Sequence, residues 1–148
     1  MKLVVGSDHA GFPMKAELVA FIRSRGHEVT DVGSHDAKPV DFPDIARKVA
    51  AAITSGAAER GLMVCGTGVG AAIGANKMKG IRAAVCHDVH SAHQSVEHDD
   101  VNVMCIGAQI VGPWLAKDLV SAYLDAKFST DEDFRRRVAK LAEMDEGR

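Results

Sequence analysis

The 148-residue sequence predicts an α/β fold: a five-stranded parallel sheet sandwiched by helices, with one further helix appended at the C-terminus. Three observations predict it. Short apolar runs alternate with longer amphipathic ones, Pro and Gly stand where helices should begin and end, and a last apolar stripe follows the final strand. Alternation of this kind calls for parallel strands joined by right-handed crossovers, which puts helices on both faces.

The first strand is Lys2–Gly6, and the helix after it carries Met14, Leu18, Phe21 and Ile22 at i, i+4, i+7 and i+8. Pro13 stands near that helix's start and Gly26 just past its end. The second strand is His27–Val32 and the third Gly61–Cys65, followed by a glycine-rich loop and a helical stretch through Asn76. The fourth and fifth strands are Ile81–Cys86 and Val101–Ile106, and after Gly112-Pro113 the helical spacing returns in Leu115, Leu119 and Ala122. The appended helix, about 131–146, sets Phe134, Val138 and Leu141 beside Arg135-Arg136-Arg137. Coming after the sheet is complete, it must find its own surface to bury, and a partner subunit is the expected one. Residues 1–148 form a single domain by this pattern, large enough to bury roughly 70% of the unfolded chain's surface.

Composition narrows the function classes. Eighteen basic and twenty acidic residues give a formal charge of −2 with no basic block, so there is no nucleic-acid footprint. No apolar run approaches the roughly 20 residues of a membrane span, and the N-terminus passes into a strand rather than a signal peptide. Three cysteines suit a reducing cytosol, so a cytoplasmic protein is expected.

In an open α/β sheet, ligands bind beyond the carboxyl ends of the strands. After the first strand, Asp8 and His9 in Gly6-Ser7-Asp8-His9-Ala10-Gly11 can hold a polyol or move a proton, although Asp8 can equally serve as a helix cap. After the third comes Cys65-Gly66-Thr67-Gly68-Val69-Gly70-Ala71. There backbone amides can turn toward an anion or a developing enolate, and a cysteine at the mouth should have a lowered thiol pKa. Gly66, Gly68 and Ala71, with Asp88 some twenty residues on, also fit a relaxed dinucleotide fingerprint, but that fingerprint belongs on the first βα unit. No cofactor is expected. After the fourth strand, His87, His90, His93 and His98 invite a metal reading, but exposed helix histidines are commoner than ligands and no metal is expected. His98 ends its helix immediately before the fifth strand, which reads as near the site. Cys86 and Cys105 read as buried small hydrophobes.

Together, Ser7-Asp8-His9-Ala10-Gly11-Phe12, Val40-Asp41-Phe42-Pro43, Cys65-Gly66-Thr67-Gly68-Val69-Gly70 and Ala75-Asn76-Lys77 resemble the type B ribose-5-phosphate isomerases. Glu97-His98-Asp99-Asp100-Val101-Asn102-Val103, Gly107 and Arg136-Arg137-Val138 extend the likeness over nearly the whole chain. The wider family includes galactose-6-phosphate and allose-6-phosphate isomerases. The resemblance implies a Rossmann-like fold, a homodimer or dimer of dimers with shared active sites, and metal-free aldose–ketose isomerisation through a cis-enediolate. It implies Cys65 as the base between C1 and C2, Thr67 and the amides of Gly66, Gly68, Val69 and Gly70 as the enediolate cradle, and His98 from the neighbouring subunit as ring opener. Asp8 and His9 would hold sugar hydroxyls.

The departures fall in substrate recognition. Where the family commonly has arginine after the fifth strand, this chain has Gln109, and an Arg-His pair in the last helix is replaced by Asp133 and Phe134. Arg137 keeps its register, Asp99 replaces an asparagine, and Phe42 replaces a tyrosine. Exchanging a phosphate-binding arginine for aspartate reverses a charge beside an anion. Either Arg135 or Arg136 rebuilds a phosphate site for a pentose or tetrose phosphate, or Asp133 and Gln109 bind hydroxyls of an unphosphorylated sugar. A non-catalytic sugar-binding subunit is the alternative from another class.

Overall fold

The computed structural model describes residues 1–148 and contains five parallel strands: β1 (Lys2–Ser7), β2 (Glu28–Asp31), β3 (Arg60–Cys65), β4 (Ala83–Val85) and β5 (Val103–Gly107). They lie in the order β2-β1-β3-β5-β4. The connections are α1 (Phe12–Ser24), α2 (Phe42–Thr54), α3 (Val69–Ala75) and α4 (Val89–Glu97), followed after β5 by α5 (Pro113–Asp125) and α6 (Glu132–Glu146). No helix is long and apolar enough to cross a membrane.

The strands read as continuous apolar runs because both faces of the sheet are covered. Leu3, Val5, Leu62, Val64, Met104 and Ile106 pack under α1, α4 and α5. The alternate residues Val4, Met63, Cys65, Val103 and Cys105 point to the other face, under α2 and α3. Each fully buried aliphatic side chain here contributes about 1.5–3 kcal/mol relative to exposure. Register aligns the strand ends: Ser7 lies opposite Val64, and Cys65 opposite Gly107. The chain steps outward from β1 to β2 and then returns to β3. The topological switch point, and the crevice it opens, therefore lies between the ends of β1 and β3.

β4 and β5 each begin two residues later than the apolar runs predict. Arg82 is held outside β4 because its N–H donates to the Asn102 side chain (2.8 Å), and Val101 is held outside β5 because its N–H donates to the Ser95 carbonyl (2.9 Å). α2 shows a stripe that strand alternation alone passes over: Ile45, Ala46, Val49 and Ala50 are buried, with Pro43 in the first turn.

α6 buries none of its residues against its own sheet. It is attached at its two ends. Before its start, the Ser129 N–H donates to the Glu97 carbonyl (2.9 Å); at its end, Glu146 pairs with Lys79 (2.7 Å) and Asp145 accepts the Gly80 N–H. Between these attachments lies a cleft of about 900 Å³, where Leu141 and Met144 face Ile81, Ala84 and Val101. The apolar stripe of the last helix thus meets a cleft rather than a core.

Candidate active site

The crevice at the carboxyl ends of β1 and β3 is built by close backbone approach. A Cβ on Gly11 would lie 1.9 Å from the Val64 carbonyl oxygen, so only glycine lets the start of α1 rest on the end of β3. This contact brings the Asp8 turn beside Cys65. The Asp8 carboxylate accepts the Gly11 N–H (2.9 Å), which closes the turn that leads into α1 rather than capping the helix, whose N-cap is Gly11. His9 is exposed, and its Nδ1 accepts the Val40 N–H (3.3 Å); the neutral ring therefore carries its proton on Nε2.

The 33–41 loop behind His9 is fixed by a residue that sequence reasoning missed. Lys15 is 2% exposed, and its ammonium donates to Asp31 Oδ1 (2.7 Å) and to the Ser34 carbonyl. The available signal was a lysine set inside the apolar stripe of α1, between Met14 and Leu18. A charge this buried persists only when paired.

Cys65 is buried at the end of β3, and its Sγ accepts the Gly68 N–H (3.1 Å). Gly68 adopts φ +82°, the left-handed conformation that turns its amide back to the sulfur. The neighbouring Val69 N–H donates to Thr67 Oγ1 (3.3 Å), which leaves the Thr67 hydroxyl proton directed elsewhere. Two of the amides expected to cradle an oxyanion, those of Gly68 and Val69, are therefore engaged by Cys65 and Thr67 themselves. Gln109 lies over Gly66, its Oε1 3.1 Å from where a Cβ would stand, and the Phe42 ring packs on Gly70 in the same way at 2.9 Å. Asp8, His9, Phe42, the Cys65–Gly70 loop and Gln109 thus share one edge of the sheet.

His98 does not join them within the chain. α4 carries the chain from the carboxyl end of β4 back to the amino end of β5, so His98, its C-cap, lies on the opposite edge. The five residues of β5 alone span roughly 16 Å. This corrects the expectation that standing before the fifth strand places His98 near the site of its own chain.

The N-terminal edge carries its own constellation. The His98 imidazole stacks on Phe134, ring centroids 3.9 Å apart and planes 12° from parallel. Asp99 is exposed on the cleft beneath α6. The turn behind both is clamped by Arg82, which donates through Nε to the Asp100 carbonyl (2.8 Å) and through a terminal nitrogen to Asp100 Oδ2 (2.7 Å). Asp100 has φ +50°. On α6, Asp133 is paired with Arg136 (2.6 Å), whose hydrogen bond and charge hold the Asp133 carboxyl below the ordinary carboxylate range. Arg135 lies over Phe128 and Arg137 over Phe134, at 4.9 and 5.6 Å from the ring centroids. Of the three arginines, only Arg136 is neutralised by a carboxylate.

The histidines around α4 diverge. His87 Nε2 accepts the Gly107 N–H (2.9 Å), His93 pairs with Glu97 (3.0 Å), and His98 lies on Phe134. Asp88, the acidic member of a dinucleotide fingerprint, is instead the N-cap of α4; the Ser91 N–H and hydroxyl both donate to it and lower its pKa. Burial raises the thiol pKa of Cys86 and, further, that of Cys105, as befits inert core cysteines.

A model of the ribose/galactose isomerase family matches residues 3–141. The chain is 41% identical to ribose-5-phosphate isomerase B of Escherichia coli, covering 99% of this chain and 98% of that one. It is 40% identical to D-erythrulose-4-phosphate isomerase of Pectobacterium atrosepticum, over 86% of this chain and 85% of that one. Among solved structures it superposes on ribose-5-phosphate isomerase B of Clostridium thermocellum with a TM-score of 0.96, 44% identity and 99% coverage of both chains.

Proposed function

The chain belongs to the ribose/galactose isomerase family of aldose–ketose isomerases, and on that premise we propose that it interconverts ribose 5-phosphate and ribulose 5-phosphate, or a closely related pentose or tetrose phosphate. In this mechanism Cys65 takes the proton from C2 of the open-chain aldose and returns it to C1, through a cis-enediolate. The Thr67 hydroxyl and the remaining amides of the Gly66–Gly70 loop meet the enediolate oxygen. Asp8 and His9 hold hydroxyls, and His98 of a second copy opens the sugar ring by general acid–base catalysis. The O2 hydroxyl proton passes to O1 across the cis-enediolate through the Thr67 hydroxyl, so each proton has a carrier and the mechanism uses no metal. Arg137 meets the phosphate, joined by Arg135, which no carboxylate holds, or by Arg136 once it leaves Asp133. The protein works as a cytoplasmic homodimer or dimer of dimers.

The observation that carries this reading is the setting of Cys65: a sulfur that accepts a backbone N–H, beside a free threonine hydroxyl, at the strand end against which the Asp8–Gly11 turn rests. The subunit-sharing half rests on the opposite edges occupied by Cys65 and His98. The test is turnover of ribose 5-phosphate by the wild type and by Cys65→Ala, where loss of the base should cost about 10²–10⁴-fold in kcat. Mixing Cys65→Ala with His98→Asn, each inactive alone, should restore about a quarter of wild-type activity, since half the dimers are mixed and each mixed dimer has one intact site of two. No complementation after subunit exchange would reject the shared site.

The Asp133–Arg136 pair also favours a second reading, in which the enzyme isomerises an unphosphorylated sugar whose hydroxyls meet Asp133 and Gln109. Cys65-dependent conversion of a free aldose, without turnover of the phosphates, would establish it.

A further inference from the structure

The His98 ring is held in an unusual way for a catalytic imidazole. Neither ring nitrogen lies within hydrogen-bond distance of another group of the chain; the nearest carboxylate oxygen, on Glu97, is 4.0 Å from Nε2. Histidines that transfer protons are usually oriented through the nitrogen that is not reacting. Here the ring is oriented through its face. Phe134 lies parallel to it at van der Waals distance, and the Arg137 guanidinium lies over the Phe134 ring. The geometry points to Phe134 as the positioning residue for His98: it fixes the plane of the imidazole and leaves both nitrogens edge-on and free to exchange protons with a substrate.

The physical case has three parts. His98 has a partly exposed side chain (29%) and no hydrogen bond to either ring nitrogen, so no polar contact fixes χ2. A stacked aromatic pair is worth about 0.5–1.5 kcal/mol beyond its burial, enough to select one ring orientation among a few. Phe134 is itself seated, because it stands in the first turn of α6, whose approach is tied at Ser129 to the Glu97 carbonyl, the residue before His98. The aromatic and the imidazole it orients therefore share one anchor. The turn on the other side of His98 is clamped independently by Arg82 and Asp100, so the backbone is fixed and the side-chain plane is what remains for Phe134 to set.

This inference rests on the role proposed for His98 in ring opening, and that role supplies a selective test. Ribose 5-phosphate closes to a furanose through its C4 hydroxyl and must be opened before isomerisation. Erythrose 4-phosphate has that oxygen esterified and cannot close such a ring, so it bypasses the step.

The experiment compares kcat and KM on both sugars for the wild type, Phe134→Leu and Phe134→Tyr, with the His98 ring protons followed by NMR. Leucine should lower kcat on ribose 5-phosphate about tenfold, leave KM within about twofold and spare any turnover of erythrose 4-phosphate. Tyrosine, which keeps the flat ring, should restore kcat. The His98 ring protons, shifted upfield by the aromatic ring current, should move downfield in Phe134→Leu and return in Phe134→Tyr. An unchanged kcat on ribose 5-phosphate in Phe134→Leu, an equal loss on both sugars, or a Tyr variant as slow as the Leu variant would overturn the assignment. A wild type inactive on both phosphates sinks the phosphate-isomerase reading instead, and the ring-proton shift then decides alone whether Phe134 seats His98.

Discussion

Glycines at the site differ in what stands against them, and the difference predicts which substitutions the protein survives. A Cβ at residue 11 meets backbone, the Val64 carbonyl at 1.9 Å, and nothing there can yield without moving the strand that carries Cys65. Gly11→Ala should therefore destabilise by about 2–4 kcal/mol, as overpacking against backbone does. A Cβ at residue 66 meets the end of the Gln109 side chain at 3.1 Å, which can swing away. Gly66→Ala should keep a melting temperature within about 3 °C of wild type, yet lose activity, because the displaced Gln109 occupies the mouth of the Cys65 loop. Thermal unfolding beside steady-state kinetics separates the two cases, and equal melting temperatures would refute the distinction. That Cys65, Thr67 and their glycines share one loop was legible in the sequence because they are contiguous. Lys15 was legible only in part: its place in the apolar stripe of α1 marks it, but the partners that let it turn inward, Asp31 and the Ser34 carbonyl, come from another element.

At the level of elements, α4 holds the clearest lesson. His98 was read as near the site, yet strand alternation already implies otherwise: a crossover helix always returns the chain to the amino edge, so a residue just before β5 cannot share an edge with Cys65 at the end of β3. The direction of each element was legible and simply had to be followed. The environment of α6 was not legible, since an apolar stripe says that a helix is covered without saying by what. Because α6 buries no residue on its own sheet, ending the chain after Thr130 should lower the melting temperature by only a few degrees, while removing Phe134 and Arg137 abolishes turnover. Calorimetry of the truncated chain checks this, and a collapse of the transition would place α6 within the core. The C-terminal attachment should also be acid-labile. Asp145 has its pKa lowered by the Gly80 N–H and by Arg148, so its contribution is present above the ordinary carboxylate pKa and lost as pH falls through the depressed value. Amide exchange in the last turns of α6, corrected for intrinsic rates, should accelerate as pH falls below the ordinary carboxylate value of about 3.9 while the strands stay protected. Uniform protection across that range would count against the contact.

For the whole molecule, the fold divides its chemistry between two edges of one sheet. Cys65 and Thr67, the base and oxyanion partner proposed above, stand at one edge, and His98 and the arginines of α6 at the other, at least a strand's length apart. A single chain cannot bring them together, but an isologous pair can do so twice where its two-fold axis runs across the strands and sets each edge of one copy against the opposite edge of the other. On the proposed mechanism, catalysis is linked to association. Specific activity should fall on dilution in step with the monomer fraction measured by sedimentation, and the two midpoints should coincide. Linkage adds the converse: a sugar phosphate bound across the interface favours the dimer, so saturating ligand should move the dissociation midpoint to lower protein concentration. A monomer that retains full activity would require His98 to be dispensable, and would leave its stacking on Phe134 a feature of packing alone.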